Sequence, residues 1–192
     1  MTQRRKAKQR LDFSDFTEVQ KAYIAGFLDG DGSIIAQFVR KNDYILGFQI
    51  RMSAHFIQKM KRIHFLQDLF NEIGLGVVRD RGDGIAEYNI VGAKTLEPFL
   101  KAILPYLRIK KKQANLVLKI IEQLPSTKKN QEKFLETCLL VDQVANLNDS
   151  KNRSITADVV KAHLETLEII ETSQSPFSLK KDDSELEQEV LD

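Results

Sequence analysis

The spacing of apolar residues predicts a helix near the start of the chain that turns directly into a strand. Apolar positions recur at helical spacing from Val19 to Phe27. Thr17 and Gln20 form the capping-box pattern that marks a helix start. The helix is expected to end at about Asp29.

Two antiparallel strands with opposite apolar and polar faces are predicted next. The first covers residues 33–41, and a turn signal at 42–43 separates it from a second strand over about 44–56. The second strand alternates cleanly, with an apolar face of Phe48, Ile50, Met52, Ala54 and Phe56 and a polar face of Gln49, Arg51, Ser53 and His55. The pattern indicates a half-buried hairpin with a hydrogen-bonding outer face.

The rest of the chain supplies a second hairpin and further helices. The predicted elements are a helix over 57–73 ended by Gly74, a hairpin over 77–81 and 87–91 around Gly82-Asp83-Gly84, and helices over 93–104 and about 110–123, 131–146 and 156–171. Together they predict an α+β fold, with an αββαββα core, a four-stranded antiparallel sheet and additional C-terminal helices.

The composition indicates one folded domain of ordinary size. The 192 residues are 42% hydrophobic and 29% charged, as in globular chains. No apolar run is long enough to cross a bilayer, no signal peptide is visible, and the lone Cys138 excludes an intrachain disulfide. We therefore predict a flexible basic arm at 1–13, a folded domain at 14–172, an acidic, disordered tail at 173–192, and no membrane partner.

Charge is distributed unevenly along the chain. The net charge is +2, but residues 182–192 carry six acids and no base, so the remainder carries +8. The first ten residues hold five bases and no acid. A basic body suits a nucleic acid as partner, although charge alone does not separate a nucleic-acid-binding protein from an ordinary basic one.

The end of the first helix combines a close-packing face with carboxylates. Gly26 and Gly30 share a helix face that another backbone can approach closely. Asp31 follows at the helix C-terminus, where unpaired carbonyls repel a carboxylate unless a cation joins it. The bare Asp-Gly-Asp-Gly sequence favours an ordinary helix end, whereas the whole string over residues 23–34 favours a contact surface with a metal site at its tip and a capping or interface role for Asp29. A glycine-capped helix with a solvated Asp-Gly turn is the alternative.

Three further side chains are candidates for chemistry. Gln58 and Arg62, at i and i+4, are predicted to share a helix face beside the end of the second strand, and Lys110 begins a run of lysines. Each has an ordinary alternative as a solvated helix residue. The three histidines lack the spacing of metal ligands, and Cys138 lies on an apolar stripe typical of a helix core.

The polar strand faces carry side chains of the types that read base edges: Gln37, Gln49, Arg51, His55, Arg79, Arg81 and Asn89. They recur at alternate positions of the predicted strands, and a β-ribbon can enter the major groove of DNA. This face therefore fits nucleic-acid recognition and an ordinary solvated sheet face equally well until the motif is considered.

Residues 24–34, Ile-Ala-Gly-Phe-Leu-Asp-Gly-Asp-Gly-Ser-Ile, resemble the motif of the LAGLIDADG homing endonucleases. Ile24 stands in place of the leading Leu, and Gly30 in place of the second Ala. The chain is also similar to the single-motif, homodimeric members of that family over residues 71–74, 79–82, 105–116, 123–125 and 134–151. The similarity spans roughly residues 17–165.

The resemblance implies two chains whose motif helices pack at a two-fold axis, with two four-stranded saddles on DNA. It makes Asp31 the metal-binding acid, with the Gly30 carbonyl as a second ligand. It makes Gln58 the residue that positions the nucleophilic water, and Arg62 and Lys110 the basic residues beside the scissile phosphate. The dimer contact falls on Tyr23, Gly26, Phe27 and Gly30.

The same resemblance implies DNA contacts on the strands and in one loop. The predicted contacts are Ser33, Ile35, Gln37, Val39, Lys41, Tyr44, Gln49, Arg51, His55, Arg79, Arg81, Glu87 and Asn89 on the sheet side, and Ser150, Lys151 and Arg153 in a phosphate-contacting loop. Several of these differ in residue type from their family counterparts, so the target sequence does not transfer.

The resulting prediction is a Mg²⁺-dependent endonuclease that cuts both strands of a long pseudo-palindromic DNA site as a homodimer. One acid per chain requires two chains for two cuts, and hard oxygen ligands favour Mg²⁺. The resemblance also implies an intron-encoded protein of an organelle, the chloroplast rather than the mitochondrion. A non-cleaving nucleic-acid-binding protein or an RNA maturase of the same fold is the alternative.

Overall fold

A four-stranded antiparallel sheet lies at the centre of the structure, which is a computed structural model describing residues 12–41, 43–44, 46–128, 130–149 and 153–174. Its elements are α1 (Glu18–Asp31), β1 (Gly32–Arg40), β2 (Phe48–Lys59), α2 (Ile63–Ile73), β3 (Val77–Asp80), β4 (Ile85–Val91), α3 (Ala93–Ile103), α4 (Lys111–Thr127), α5 (Gln131–Asn146) and α6 (Ala157–Gln174). The strands lie in the order β1-β2-β4-β3. The predicted α+β fold is confirmed. No helix in the described part of the chain could cross a bilayer.

α1 begins at the predicted capping box and runs directly into β1. The Thr17 hydroxyl accepts the backbone N–H of Gln20 over 3.2 Å, and the Gln20 side chain accepts the backbone N–H of Thr17 over 2.9 Å. The helix ends at Asp31, slightly later than predicted. A Cβ at Gly32 would lie 2.7 Å from the carbonyl oxygen of His55, so glycine is needed where β2 passes the helix end.

The inner face of the sheet forms the core with the predicted alternation. The five apolar residues of β2, from Phe48 to Phe56, are all buried. Phe56 stacks on Phe27 of α1 and on Tyr88 of β4, with ring centroids 5.4 and 5.5 Å apart. Truncating a buried Phe to Ala typically costs about 3–5 kcal/mol, so this aromatic column holds α1 firmly on the sheet.

β2 ends at Lys59, three residues later than predicted, and this places the predicted site residue Gln58 in a strand. Gln58 lies in β2, opposite Ala86 of β4, and does not share a helix with Arg62 as predicted. Arg62 instead ends a short 3-10 turn, Met60–Arg62, that precedes α2. The side-chain pattern of residues 57–59 alone does not distinguish a strand end from a helix start. These residues form a strand because they pair with β4.

The boundary between the predicted arm and the domain also differs. Phe13 is 6% exposed, and its ring packs edge-on against Phe16 with centroids 5.1 Å apart. Residues 12–13 therefore belong to the folded domain, because a buried aromatic ring anchors them. Residues 1–11 and 175–192, which hold the rest of the predicted arm and nearly all of the predicted tail, lie outside the described residues.

Candidate active site and DNA-binding face

Asp31, Gln58 and Arg62 form one hydrogen-bonded chain at the end of α1. Gln58 donates from Nε2 to Asp31 Oδ2 over 2.6 Å and accepts Arg62 Nη1 at Oε1 over 3.1 Å. The three residues come from the last position of α1, the end of β2 and the turn before α2. The fold therefore brings three of the four predicted catalytic residues into direct contact, on an exposed edge of the protein.

Lys110, the fourth predicted catalytic residue, is held at the same helix end through Asp29. Its Nζ donates to the backbone carbonyl of Asp29 over 2.5 Å. The Asp29 carboxylate, in a residue only 8% exposed, accepts the backbone N–H groups of Arg108, Ile109 and Lys110 at 2.7, 3.2 and 2.9 Å. Asp29 therefore ties the segment just before α4 to the end of α1, while the N-cap of α4, Lys110, has no side-chain capping bond.

The end of α1 suits a hard divalent cation. A helix C-terminus carries a partial negative charge, and the exposed Asp31 carboxylate adds to it. The carboxylate of Asp31 and the carbonyl of Gly30 are oxygen donors of the kind that Mg²⁺ prefers. Within the residues that the structure describes, no group of three or more His, Cys, Asp and Glu side chains could hold a metal ion.

One face of α1 is open in the protomer. Tyr23 is 56% exposed and Val19 78% exposed. A Cβ placed on Gly26 or Gly30 would meet no atom within 4 Å. Phe27, also predicted at the dimer contact, is half-buried, and its ring packs inside the protomer. We call Val19, Tyr23, Gly26 and Gly30 the open face of α1. At Gly26 and Gly30 no side chain covers the helix backbone on this face.

The outer face of the sheet presents the predicted DNA contacts at different depths. The exposed ones are Gln37, Lys41, Tyr44, Arg51, Arg79 and Arg81. The half-buried ones are Ser33, Ile35, Val39, Gln49 and His55. Glu87 and Asn89 are buried, at 6% and 5% exposed. The exposed set therefore holds all the cationic side chains among these sheet-side contacts, whereas Glu87 and Asn89 are buried.

Glu87 is the centre of a hydrogen-bonded cluster on this face. Its Oε2 accepts a hydrogen bond from Arg79 Nε over 2.8 Å and forms an ion pair with Arg79 Nη2 at 2.6 Å, and its Oε1 lies 2.8 Å from Nδ1 of His55. Burial by itself raises the pKa of Glu87. Hydrogen bonds with Asn89, Arg79 and His55 outweigh burial and lower the pKa from 4.5 to about 2. Glu87 is therefore an anion at neutral pH.

The predicted phosphate loop is described only at its end. Ser150 and Lys151 lie outside the described residues. Arg153 Nη1 lies 2.9 Å from Asp142 Oδ1 of α5, and both side chains are mostly buried. Asp142 also accepts the backbone N–H of Ala157, at the start of α6. In this arrangement Arg153 anchors the loop to α5, so its role toward a phosphate stays a prediction.

Two polar residues that the sequence did not single out fix the start of that loop. Asn148 donates from Nδ2 to the carbonyl of Ile34 in β1 over 3.0 Å. Gln113, which is 6% exposed, donates from Nε2 to the carbonyl of Leu147 over 3.2 Å. Such bonds to backbone carbonyls leave no pattern in a sequence. They hold the loop beside β1, three residues from Asp31.

The structure is an α+β fold in which an acid, an amide and two cations, the predicted catalytic residues, gather at the end of one helix. A family model described as LAGLIDADG endonuclease matches residues 24–124, slightly more than half of the chain. The chain belongs to the LAGLIDADG endonuclease family.

Two curated relatives cover most of the chain. DNA endonuclease I-CreI of Chlamydomonas reinhardtii is 51% identical over 145 residues, which are 76% of this chain and 88% of the relative. DNA endonuclease I-CvuI of Chlorella vulgaris is 42% identical over 159 residues, which are 83% and 97% of the two chains.

The structure is also similar to a crystal structure of homing endonuclease I-CvuI in complex with the I-CreI target. The two share 41% sequence identity and a TM-score of 0.75, over 78% of this chain and 95% of that one. The family predicted from the motif is therefore confirmed.

Proposed function

We propose that this LAGLIDADG endonuclease cuts both strands of a long, pseudo-palindromic DNA site as a homodimer that uses Mg²⁺. The observation that carries the proposal is the chain of hydrogen bonds from Asp31 through Gln58 to Arg62 at the end of the motif helix. Lys110 is fixed to the same helix end. An acid, an amide and two cations thus converge where a phosphodiester could bind.

The need for two chains follows from the number of acids. Each protomer contributes one exposed carboxylate at this point, Asp31, and two strand cuts need two such centres. The open face of α1 has bare backbone at Gly26 and Gly30, which lets a second helix approach closely. Packing two copies of this face brings two acidic helix ends together on one axis.

The residues of each half have separable roles in hydrolysis. The cation, when bound by Asp31 and the Gly30 carbonyl, supplies Lewis-acid chemistry on water and on the leaving 3′ oxygen. Gln58 holds the Asp31 carboxylate in place and orients the attacking water. Arg62 and Lys110 put positive charge beside the phosphate as its negative charge grows.

The sheet supplies the recognition surface. β1 has nine residues, which span about 30 Å at about 3.3 Å per residue. This is slightly less than one turn of DNA, about 34–36 Å, so two protomers cover about two turns. The exposed side chains, led by Arg51, Arg79 and Arg81, are suited to base edges and phosphates.

Selection of cleaved duplexes from a randomised library tests the proposal. Wild-type protein with Mg²⁺ should enrich a two-fold-related consensus of about two turns, and Asp31→Asn protein should release no cleaved duplex. Binding of RNA or DNA without any cleavage would instead support the maturase or the non-cleaving binder of the same fold.

We also propose that the protein is intron-encoded and acts in an organelle, with the chloroplast as the finer assignment. The similarity to endonucleases of Chlamydomonas reinhardtii and Chlorella vulgaris supports this proposal. Mapping the selected consensus onto organellar genomes checks it, because a homing site should lie at an intron insertion point.

A further inference from the structure

The cluster around Glu87 spans three neighbouring strands. Arg79 of β3 lies directly opposite Glu87 of β4, whereas His55 of β2 lies two positions further along, opposite Asn89. Ser53 lies two residues before His55 on the same face of β2, and its Oγ is 2.6 Å from His55 Nε2. A continuous hydrogen-bonded line therefore runs from Ser53 through His55 and Glu87 to Arg79.

Both ring nitrogens of His55 are used inside this line. Because the carboxylate of Glu87 is ionised, it accepts the proton of His55 Nδ1. The opposite nitrogen, Nε2, meets the hydroxyl of Ser53, a residue only 4% exposed. The His55 side chain itself is 16% exposed. In this arrangement His55 has no ring nitrogen left to bind a base edge.

Arg79 is oriented differently. Its Nε and Nη2 both bind one oxygen of Glu87, which fixes the plane of the guanidinium group. The side chain is nevertheless 59% exposed. Arginine has five N–H donors, so several remain to bind the O6 and N7 of a guanine in the major groove.

On the basis of the proposed function, we propose that Ser53 and His55 are positioning residues that act through Glu87 to aim Arg79 at one base pair in each half-site. His55 and Glu87 then influence sequence choice without touching DNA themselves. The recognised group is the edge of a guanine, and the residue that contacts it is Arg79.

Binding selection from a randomised duplex library tests this assignment in protein that carries Asp31→Asn, so that the readout does not depend on cleavage. Arg79→Ala should relax preference at one base pair per half-site by about 10-fold or more. His55→Ala should relax the same base pair by at least about threefold, and Ser53→Ala by less. In the Arg79→Ala background, His55→Ala should add nothing.

Arg51→Ala is the matched control, because Arg51 is an exposed residue on the same face of β2. It should relax a different base pair, or weaken binding uniformly, and its effect should add to that of Arg79→Ala. Thermal melting identifies any variant that fails to fold, and Ser53→Ala then serves as the milder probe. The inference is overturned if His55→Ala relaxes a base pair of its own or if its effect adds to that of Arg79→Ala. If the parent selects no consensus at all, the proposed function itself fails.

Discussion

Gln58 Nε2 donates to Asp31 Oδ2 over 2.6 Å, and its Oε1 faces Arg62, so one amide joins the acid to a cation. The amide has both a donor end and an acceptor end, and the two neighbours demand opposite ends of it. A carboxylate at position 58 would repel the Asp31 carboxylate. An apolar side chain there would lose the hydrogen bonds to both Asp31 and Arg62. This arrangement makes the contribution of each residue separable by mutation.

Asp31→Asn should abolish cleavage while leaving specific DNA binding largely intact. The amide removes the negative charge that holds a divalent cation at the end of α1, but the shape of the helix end and the sheet face are unchanged. Plasmid linearisation measures cleavage, and gel-shift titration in Ca²⁺ measures binding. Loss of binding by a folded dimer would argue against the metal role of Asp31.

Gln58→Ala and Lys110→Ala should each slow cleavage by about 10²–10³-fold, because each removes a group that is positioned at the reacting phosphate. Binding affinity should change by only a few fold. Single-turnover cleavage, compared with titrated binding, separates the two effects. Lys119→Ala, an exposed lysine further along α4, is the control and should leave both unchanged. Rapid cutting by either test variant would exclude its catalytic role.

Asp29→Ala should lower both stability and cleavage. It removes the acceptor for three backbone N–H groups just before α4, at a cost of about 1–3 kcal/mol. Since this segment carries Lys110, the reaction should slow even in the fraction that remains folded. Urea unfolding and single-turnover cleavage measure the two effects. Asp68→Ala, at an exposed site on α2, should change neither.

Gly26→Leu should separate folding of the protomer from dimerisation. A side chain at Gly26 meets nothing within 4 Å in the protomer, and leucine favours helix more than glycine does. The variant should therefore fold but remain monomeric, and it should not linearise plasmid. Light scattering after size exclusion gives the oligomeric state. Asn71→Leu adds the same side chain at an exposed site on α2 and should leave a dimer. A dimeric, active Gly26→Leu protein would place the interface elsewhere.

Glu87→Gln should change how stability depends on acid pH. The carboxyl has a pKa of about 2 in the folded protein against 4.5 for an unperturbed glutamate. Its stabilising effect is therefore fully present above about pH 4.5 and is lost as the pH falls toward 2. The difference corresponds to on the order of 3 kcal/mol.

Urea unfolding of wild type and Glu87→Gln from pH 7 to pH 2 measures this effect. The gap between the two proteins should narrow between pH 4.5 and 2, and a gap that stays constant would contradict the assignment. Glu97→Gln removes an exposed pair with Lys101 on α3 and should change stability by less than about 0.5 kcal/mol at any pH.

Periodicity was sufficient to predict most of the fold. The apolar face of β2 and the capping box of Thr17 follow from side-chain spacing and local hydrogen bonding, which the sequence displays directly. The strand position of Gln58 could not be predicted, because it depends on pairing with β4, whose partner residues lie almost 30 positions away. Burial of Phe13 likewise depends on contacts with Phe99, far along the chain.

The site shows the same division. Asp31 could be predicted as the metal-binding acid because the motif is contiguous in sequence, and its contact with Gln58 is consistent with that prediction. A capping or interface role was expected for Asp29, but its bonds to the backbone at 108–110 were not, since backbone N–H groups carry no residue-specific signal. Glu87 and Arg79 lie on the same face of the sheet, but Glu87 is buried and Arg79 is exposed. This difference depends on the register between the strands, which the sequence does not display.

The bond between Asp29 and the N–H of Lys110 joins residues 81 positions apart. A ribosome adding about 5–20 residues per second takes about 4–16 s to synthesise the chain between them. During that interval a nascent chain contains the residues of α1 but lacks both the backbone N–H groups that bind the Asp29 carboxylate and the Lys110 ammonium group. A growing polypeptide therefore completes the candidate site only once Lys110 has been added, and fragments that end before residue 110 should be inactive on DNA.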